Sequence, residues 1–349
     1  MRTPVTVGVL GLGATGLRIA RVFDELPQAD LRSLCDTRVE AQLRARRPFP
    51  TVRTTSSLDD LLGDEDLDAV VIAAPIGIRA ELARRALEAE KHVFTERPLA
   101  LNGEDADRLV QLAEKADRRL HVEDACLFDP ALRKLRELVE LERLGEIFYV
   151  TATCTDVSDL LHHSESVVWN LGGHAVALLL FLLGDEPVEV SARGDAFVST
   201  HSPDVAFCHL RFATGIVAHL QLSRLDRCRQ SRVTVVGSTR MAVYDELDPD
   251  GALQIDETRI LADDGVIRVR VGDVVTTRAT PEDPMRLQCE HFAAAVRAPR
   301  DPASAYRAAT VVNTLEALTR SLDEVGAPTV VRGALRRDAR VVHLASRRP

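Results

Sequence analysis

The sequence predicts an α/β protein of two domains, in which a helix-covered parallel sheet precedes an α+β domain with a mostly antiparallel sheet. Short apolar strands alternate with helices up to about residue 125, and longer strand segments follow from about residue 130. The chain has 349 residues, of which 46% are hydrophobic and 28% charged, as is typical of a globular protein. Because this length suits two domains, we expect them at 1–125 and 126–349.

The N-terminal domain is predicted from strands that are apolar along their whole length, such as 69–73 (Ala-Val-Val-Ile-Ala). Strands of this kind, separated by helices, are typical of a parallel sheet that is covered on both faces. The predicted strands are 5–10, 31–35, 69–73, 92–95 and 120–123, and the predicted helices are 17–26, 58–62, 79–90 and 103–117.

The second domain is predicted from a different pattern, in which strand segments follow one another around a single apolar helix at 173–183. Strands that succeed one another without intervening helices favour antiparallel pairing. The predicted strands are 147–154, 188–194, 206–212, 216–222 and 232–236, and further helices are expected at 131–144, 284–298 and 303–325.

Charge and cysteine content exclude several classes of protein. The net charge is −9, from 44 basic and 53 acidic residues, which argues against a partner that is nucleic acid or an anionic membrane. The six cysteines form no Cys-x-x-Cys pair and no zinc spacing, so we expect no metal site and a reducing, cytoplasmic location. The longest apolar run, 175–183, is far shorter than the roughly 20 residues of a membrane span.

A glycine motif, Gly-x-Gly-x-x-Gly, lies between the first predicted strand and the first predicted helix. The first glycine permits a tight turn, the second lets a pyrophosphate approach the backbone, and the third allows close packing of helix on strand. The helix N-terminus then faces the anion, as in Rossmann domains that bind dinucleotides. A tight structural turn in an unrelated α/β domain is the alternative. The candidate cofactor-binding residues here are Gly11, Gly13, Ala14, Thr15 and Gly16.

Asp36 follows the second strand, 20 residues after the last glycine of the motif. A carboxylate at this position accepts hydrogen bonds from the ribose hydroxyls and repels a 2′-phosphate, which favours NAD over NADP. NADP remains an alternative cofactor because of Arg38, since a neighbouring arginine can hold that phosphate.

Two further loops follow strands of the predicted parallel sheet and therefore lie at its ligand-binding edge. Ala74 and Pro75 end the third predicted strand, and Glu96 and Arg97 end the fourth. We expect all four residues to contribute to the cofactor site, although Glu96 can equally serve only to shape its loop.

Taken together, the ordered motifs resemble the glucose–fructose oxidoreductase / inositol dehydrogenase / rhizopine catabolism (Gfo/Idh/MocA) family. The resemblance implies an N-terminal Rossmann domain and a C-terminal domain whose large open sheet forms homodimers or homotetramers. It also implies NAD(P)-dependent hydride transfer on a small-molecule substrate such as a sugar, a cyclitol or a related carbonyl compound. The motifs are the glycine motif, Ala-Pro at 74–75, Glu-Lys-His-Val-Phe-Thr-Glu-Arg-Pro-Leu-Ala at 90–100, Leu-Gly-Glu-Ile at 144–147, Asn-Leu-Gly-Gly-His at 170–174 and Glu…Ser at 316–321.

The same resemblance implies catalytic roles for Arg97, Asn170 and His174, although two of these positions depart from the family pattern. Arg97 stands where the family has the lysine of Glu-Lys-Pro, and Asn170 where it has the aspartate of Asp-x-x-x-His. Arginine stays protonated, so Arg97 can hold an oxygen but cannot act as a base. Asparagine can orient an imidazole without stabilising its charge, which leaves His174 to exchange the proton. The structural alternatives are a salt-bridge role for Arg97 and a helix-start role for His174.

The polar segment 155–169 can supply a replacement acid or base, for example His162, His163 or Glu165, or can equally be a solvated loop. The changed positions also leave a second interpretation, a catalytically degenerate dinucleotide or sugar sensor that acts through protein partners. We prefer the first interpretation, an NAD(P)-dependent dehydrogenase or reductase, because the glycine motif and His174 are both retained.

Overall fold

The computed structural model describes residues 4–162, 166–199, 202–263, 266–278, 282–299 and 303–333. The chain divides into two units, Met1–Ala125 with Asp283–Val312, and Cys126–Glu282 with Asn313–Pro349. The first unit therefore contains residues 283–312, which the sequence analysis placed in the second domain.

The first unit is built on a six-stranded sheet in the order β3-β2-β1-β4-β5-β6, and all its pairs are parallel. The direction of winding reverses between β1 and β4, and ligands of such sheets bind at the carboxyl ends of the strands at this point. The expected Rossmann topology is confirmed. The strands are Val5–Leu10 (β1), Ala29–Cys35 (β2), Arg53–Thr55 (β3), Ala69–Ile72 (β4), His92–Thr95 (β5) and Leu120–Val122 (β6).

Helices connect these strands and bury one face each against the sheet. Ile19, Ala20 and Phe23 of the first helix are fully buried, and the four residues of β4 are buried as well. The helices are Ala14–Glu25 (α1), Val39–Ala45 (α2), Leu58–Leu62 (α3), Ile76–Glu88 (α4) and Gly103–Lys115 (α5).

A late helix explains why Asp283–Val312 belongs to the first unit. This helix, Pro284–Val296 (α9 in chain order), buries Met285, Cys289 and Phe292 in the core of that unit. The three residues are spaced i, i+4 and i+7, so they lie on one helix face. The ring of Phe292 meets that of Phe94 edge to face, with 5.4 Å between centroids. Position along the chain was therefore a poor guide to domain membership here.

The second unit is built on a nine-stranded sheet in the order β16-β13-β12-β11-β7-β10-β9-β8-β17. Among the described residues, only β7 and β10 pair in parallel within it, so the expected mostly antiparallel sheet is confirmed. A separate hairpin joins Arg259–Asp263 (β14) and Val266–Arg270 (β15). The nine strands are Ile147–Thr155 (β7), Pro187–Asp195 (β8), Val205–Phe212 (β9), Val217–Ser223 (β10), Gln230–Gly237 (β11), Met241–Asp245 (β12), Ala252–Asp256 (β13), Val274–Arg278 (β16) and Thr329–Val330 (β17).

The central helix of the second unit packs on β7 and β10. This helix, Val167–Leu183 (α8), is apolar on nearly all sides and ends at Gly184, whose φ of 61° is left-handed. Residues of β9 alternate between buried and exposed, so one face of the sheet is covered and the other is open. The remaining helices are Pro130–Glu140 (α6), Asp159–His162 (α7) and Ala303–Asp323 (α10), the last of which begins in the first unit. Among the described residues, no helix is both long and apolar enough to cross a membrane.

Candidate active site

The glycine loop between β1 and α1 has the shape that a dinucleotide requires. Gly11 has a φ of +94°, and a Cβ there would lie 2.0 Å from the carbonyl oxygen of Ala73. A Cβ on Gly16 would lie 1.9 Å from the carbonyl oxygen of Gly11, so neither position tolerates a side chain. A Cβ on Gly13, by contrast, would meet no atom within 4 Å. Space is therefore open at the one glycine where a pyrophosphate must approach.

The N-terminus of α1 lies beside that open space. Ala14 and Thr15 begin the helix, no side chain of the described residues caps it at Gly13, and its first turn contains no acidic residue. The first N–H groups of a helix have no partner within it and favour an anion. The residues at the glycine loop thus fit the pyrophosphate of a dinucleotide.

Asp36 closes the same loop from the end of β2. Its carboxylate accepts the Leu12 N–H at 2.8 Å and three donors of Arg38, namely the backbone N–H at 2.9 Å, Nε at 3.0 Å and one terminal guanidinium nitrogen at 2.9 Å. The bond from the Arg38 side chain is the largest cause that lowers the pKa of Asp36 to about 2. Asp36 is buried, whereas 61% of the Arg38 side chain is exposed. The carboxylate is therefore ionised and fixed, and Arg38 lies over it from the solvent side.

Arg79 connects the other two predicted cofactor loops, and the sequence analysis missed it. One terminal guanidinium nitrogen donates to the carbonyl of Ala74 at 2.9 Å and to Oε2 of Glu96 at 3.1 Å, and the other donates to the carbonyl of Pro98 at 2.8 Å. The side chain is buried, and burial lowers its pKa while Glu96 opposes that effect. The ion pair with Arg79 is a contact that can shape the loop, which was one of the two roles expected of Glu96. The other role, binding of the cofactor, stays a prediction. Pro75 directly precedes α4 in the loop that follows β4.

Arg97 lies in an ion-pair cluster at the end of the sheet. One guanidinium nitrogen lies 3.0 Å from Oε2 of Glu123 and 3.5 Å from Oδ1 of Asp124, and both carboxylates are buried. This geometry agrees with the salt-bridge alternative for Arg97. Two carboxylates also offset its positive charge, which weakens it as a clamp for an anion. A direct role of Arg97 toward substrate stays a prediction.

His174 lies in a polar cluster of the second unit that we call the His174 cluster, formed by Cys126, His174, Ser231 and Glu246. Nε2 of His174 lies 2.7 Å from Oε2 of Glu246, and that oxygen accepts the Ser231 hydroxyl at 2.6 Å. Nδ1 of His174 lies 3.7 Å from Sγ of Cys126. Because an ionised carboxylate only accepts, Nε2 carries the proton and Nδ1 is the acceptor in the neutral ring.

Three elements bring this cluster together. His174 is the eighth residue of α8, which begins at Val167 and not at 173 as predicted, so His174 is not at the start of the helix. Glu246 follows β12, and its backbone N–H donates to the carbonyl of Ser231 at 2.9 Å. Cys126 lies in a short 3-10 turn, Ala125–Phe128. The sequence analysis missed Cys126, Ser231 and Glu246, because no local motif signals contacts over 48 or 72 residues.

Asn170 belongs to a neighbouring network of buried charges. Its amide nitrogen lies 3.4 Å from Oδ2 of Asp159, and the same oxygen lies 3.5 Å from Nε of Arg224. Arg224 is almost fully buried and also lies 4.0 Å from Oδ1 of Asp204. The catalytic role expected for Asn170 stays a prediction.

The predicted replacement acids and bases of 155–169 contribute little to this description. His163 and Glu165 lie outside the described residues, as does the side chain of His162. In the same segment, the indole N–H of Trp169 donates to the Thr319 hydroxyl at 3.1 Å, which anchors α8 to α10.

Comparison with known proteins agrees with this geometry. Residues 5–124 match the oxidoreductase family with an NAD-binding Rossmann fold, and residues 132–243 match the GFO/IDH/MocA C-terminal domain. Myo-inositol 2-dehydrogenase of Thermotoga maritima is 28% identical, over 62% of this chain and 68% of its own length. UDP-N-acetylglucosamine 3-dehydrogenase of Acidithiobacillus ferrooxidans is 30% identical, over 69% of this chain and 74% of its own.

Solved structures show the same fold over almost the entire chain. An oxidoreductase domain protein from Kribbella flavida superposes with a TM-score of 0.81 at 22% identity, covering 95% of this chain and 100% of its own. The crystal structure of the Acidithiobacillus ferrooxidans dehydrogenase gives a TM-score of 0.79 at 24% identity, covering 93% and 99%. With both family domains present in order, this chain belongs to the Gfo/Idh/MocA family of NAD(P)-dependent dehydrogenases.

Proposed function

We propose that this protein transfers a hydride between a nicotinamide cofactor and a carbonyl or alcohol carbon of a sugar, a cyclitol or a related small polar metabolite. The observation that carries the proposal is the glycine loop, where Gly13 leaves open space at an uncapped helix N-terminus. The substrate class is taken from relatives named for a cyclitol and for a sugar nucleotide.

In this proposal, some residues of the chain bind the cofactor and others exchange a proton with the substrate. The cofactor, when bound, supplies or accepts the hydride. The glycine loop binds its pyrophosphate, and Asp36 accepts hydrogen bonds from its ribose in place of those from the exposed Arg38 side chain. His174 exchanges the proton of the substrate oxygen through Nδ1, because Nε2 is held by Glu246.

Glu246 supplies the charge that Asn170 cannot. A carboxylate 2.7 Å from Nε2 stabilises the imidazolium that forms when Nδ1 takes up a proton. The Ser231 hydroxyl fixes that carboxylate by donating to the same oxygen. The proton relay is therefore retained, although the expected aspartate is replaced by Asn170. Among the described residues, no observation favours the sensor alternative.

The test is turnover with NAD and, separately, NADP on a panel of cyclitols, sugars and sugar nucleotides, followed by the absorbance of the reduced nicotinamide. His174→Ala is expected to lower turnover by about tenfold to a thousandfold, as for loss of a general acid–base group. Binding of reduced cofactor should persist in that variant, because the glycine loop is unchanged. Full turnover in His174→Ala would remove the residue from the mechanism, and absence of cofactor binding in the wild type would refute the proposal.

The same proposal includes assembly and location. The open face of the second unit's sheet exposes Tyr149, Phe207 and Val217, each by more than 40%. Apolar residues on such a face favour burial against a second copy, as a homodimer or homotetramer. Sedimentation of the purified protein tests this, and a monomer at micromolar concentration would contradict it. A cytoplasmic location is part of the proposal because the structure, which describes all six cysteines, shows no disulfide among them.

A further inference from the structure

Cys126 differs from the other cysteines of the chain in what it faces. Burial raises the pKa of the Cys35 thiol to about 11 and that of Cys208 to about 12, and it also raises the pKa of Cys289. Cys228 is exposed. Cys126 is buried like the first three, yet its Sγ lies 3.7 Å from Nδ1 of His174.

The hydrogen bonds of the His174 cluster place the imidazole proton on the ring nitrogen that is farther from that thiol. Glu246 holds the proton of His174 on Nε2, so the lone pair of Nδ1 faces Cys126. Transfer of the thiol proton to Nδ1 gives a thiolate beside an imidazolium, and Glu246 stabilises that imidazolium. A nucleophile, a base and a group that orients the base are the components of an activated thiol.

We propose that Cys126 is a nucleophilic thiol that adds reversibly to the carbonyl carbon of an aldehyde. The bond that forms joins Sγ to the carbonyl carbon, and the carbonyl π bond breaks. The thiol proton passes to Nδ1 of His174 and from there to the new alkoxide, so the product is a neutral thiohemiacetal and nothing is oxidised. The aldehyde class rests on the proposed carbonyl chemistry, whereas the activation of the thiol rests on the His174 cluster alone.

Acidic groups near Cys126 oppose this activation and set the size of the expected effect. Asp124 and Asp129 are two and three residues away in the chain, and Tyr244 is a buried neighbour whose pKa is raised mainly by burial. Carboxylates disfavour a thiolate, so the imidazolium must outweigh them. We therefore expect a moderate decrease of the thiol pKa, and not the much larger decreases seen beside several cations.

The first experiment measures alkylation of the full-length, cofactor-free protein by iodoacetamide between pH 5.5 and 9.5, with each cysteine quantified by peptide mass spectrometry. Exposed Cys228 is the internal reference, and buried Cys289 reports any unfolding by becoming labelled. We expect the midpoint of the pH–rate profile of Cys126 to lie at least about one unit below that of Cys228. In Glu246→Gln and His174→Asn the midpoint should rise toward the reference value.

Two results would overturn the inference: a Cys126 midpoint equal to or above that of Cys228, or no labelling of Cys126 at any pH while the protein is folded. The midpoint is the chosen readout because limited access slows alkylation without moving its pH dependence.

The second experiment tests the ligand class with glyceraldehyde as the probe and dihydroxyacetone, its ketone isomer, as the matched control. Glyceraldehyde should slow the alkylation of Cys126, with recovery after dialysis, and the ketone should have a clearly weaker effect. Equal effects of both compounds would refute the aldehyde class. A thiol activated as expected in a protein that binds no NADH would refute the proposed function alone, and an ordinary thiol in a protein that binds NADH would refute this inference alone.

Discussion

Replacement of Asp36 by asparagine tests the cofactor assignment most directly. The substitution keeps the size of the side chain and one acceptor oxygen, but it removes the negative charge. In the wild type this charge is ionised, buried and held by four hydrogen bonds of 2.8 to 3.0 Å. Asp36→Asn also releases the guanidinium of Arg38, which is 61% exposed and can turn toward a phosphate.

The magnitude follows from two separate changes. A hydrogen bond to a charged acceptor contributes about 1.5–3 kcal/mol and a neutral one about 1 kcal/mol, so NADH binding should weaken by about 1–2 kcal/mol. For NADPH, loss of the repulsion between the carboxylate and a 2′-phosphate is a gain of about 1–2 kcal/mol at an intermediate dielectric. Together these shift the ratio of the two dissociation constants by at least about thirtyfold in favour of NADPH, since 1.4 kcal/mol is tenfold.

Titration calorimetry with NADH and NADPH measures that ratio in the wild type and in Asp36→Asn. Asp30→Asn is the matched control, because Asp30 lies on β2, the strand that Asp36 follows, but is exposed. The wild type is expected to prefer NADH. A ratio that is unchanged in Asp36→Asn, with thermal unfolding close to that of the wild type, would show that this carboxylate does not face the ribose.

Three further changes test the loops and the buried charges. Gly11→Ala places a Cβ 2.0 Å from a backbone oxygen at a φ of +94°. We therefore expect the variant to lose at least about 2 kcal/mol of stability and also to lose cofactor binding. Binding as tight as that of the wild type would contradict the loop geometry. Arg79→Met removes hydrogen bonds to two cofactor loops, and we expect weaker NADH binding with a loss of about 2–4 kcal/mol in denaturant unfolding; unchanged binding would separate this arginine from the site. The pKa of Asp36 and that of Asp204 are both lowered to about 2 from 3.8, the latter against its burial and through hydrogen bonds from the 197–199 segment. A carboxyl whose pKa is lowered in the native state stabilises the fold at any pH above the pKa that it has in the unfolded chain. The free energy of unfolding should therefore decrease by about 2 kcal/mol for each group as the pH falls from 4 to 2. A free energy of unfolding that stays constant over this range would refute the prediction.

The N-terminal sheet could be predicted closely because its signals are local. Strands β1 and β5 and helix α3 have the bounds expected from the sequence, since each is a short apolar or amphipathic run between turn residues. The glycine loop was predictable for the same reason: the steric need for Gly11 and Gly16 arises from backbone atoms that the strand–turn–helix order already brings close.

Errors in the second unit arose where tertiary packing overrides local preference. The pair Gly172 and Gly173 suggested a helix start, yet α8 runs through both. A Cβ on Gly172 would lie only 3.1 Å from Leu222 of β10, so the glycine allows the helix to approach the sheet. Strands β12, β13 and β16 were missed altogether, and it is their pairing in the sheet that defines them.

His174 shows how far a motif can be followed before structure is needed. The motif identified the imidazole, and the family pattern predicts its carboxylate four residues earlier, where Asn170 stands. The carboxylate comes instead from Glu246, 72 residues later, and Ser231 fixes it. Because Glu246 occupies Nε2, we propose Nδ1 as the nitrogen that exchanges the proton, and Nδ1 also faces Cys126. On the proposed function, a substitution that looks like loss of the relay in the sequence therefore corresponds to a change in which nitrogen exchanges the proton and which side chain it can activate.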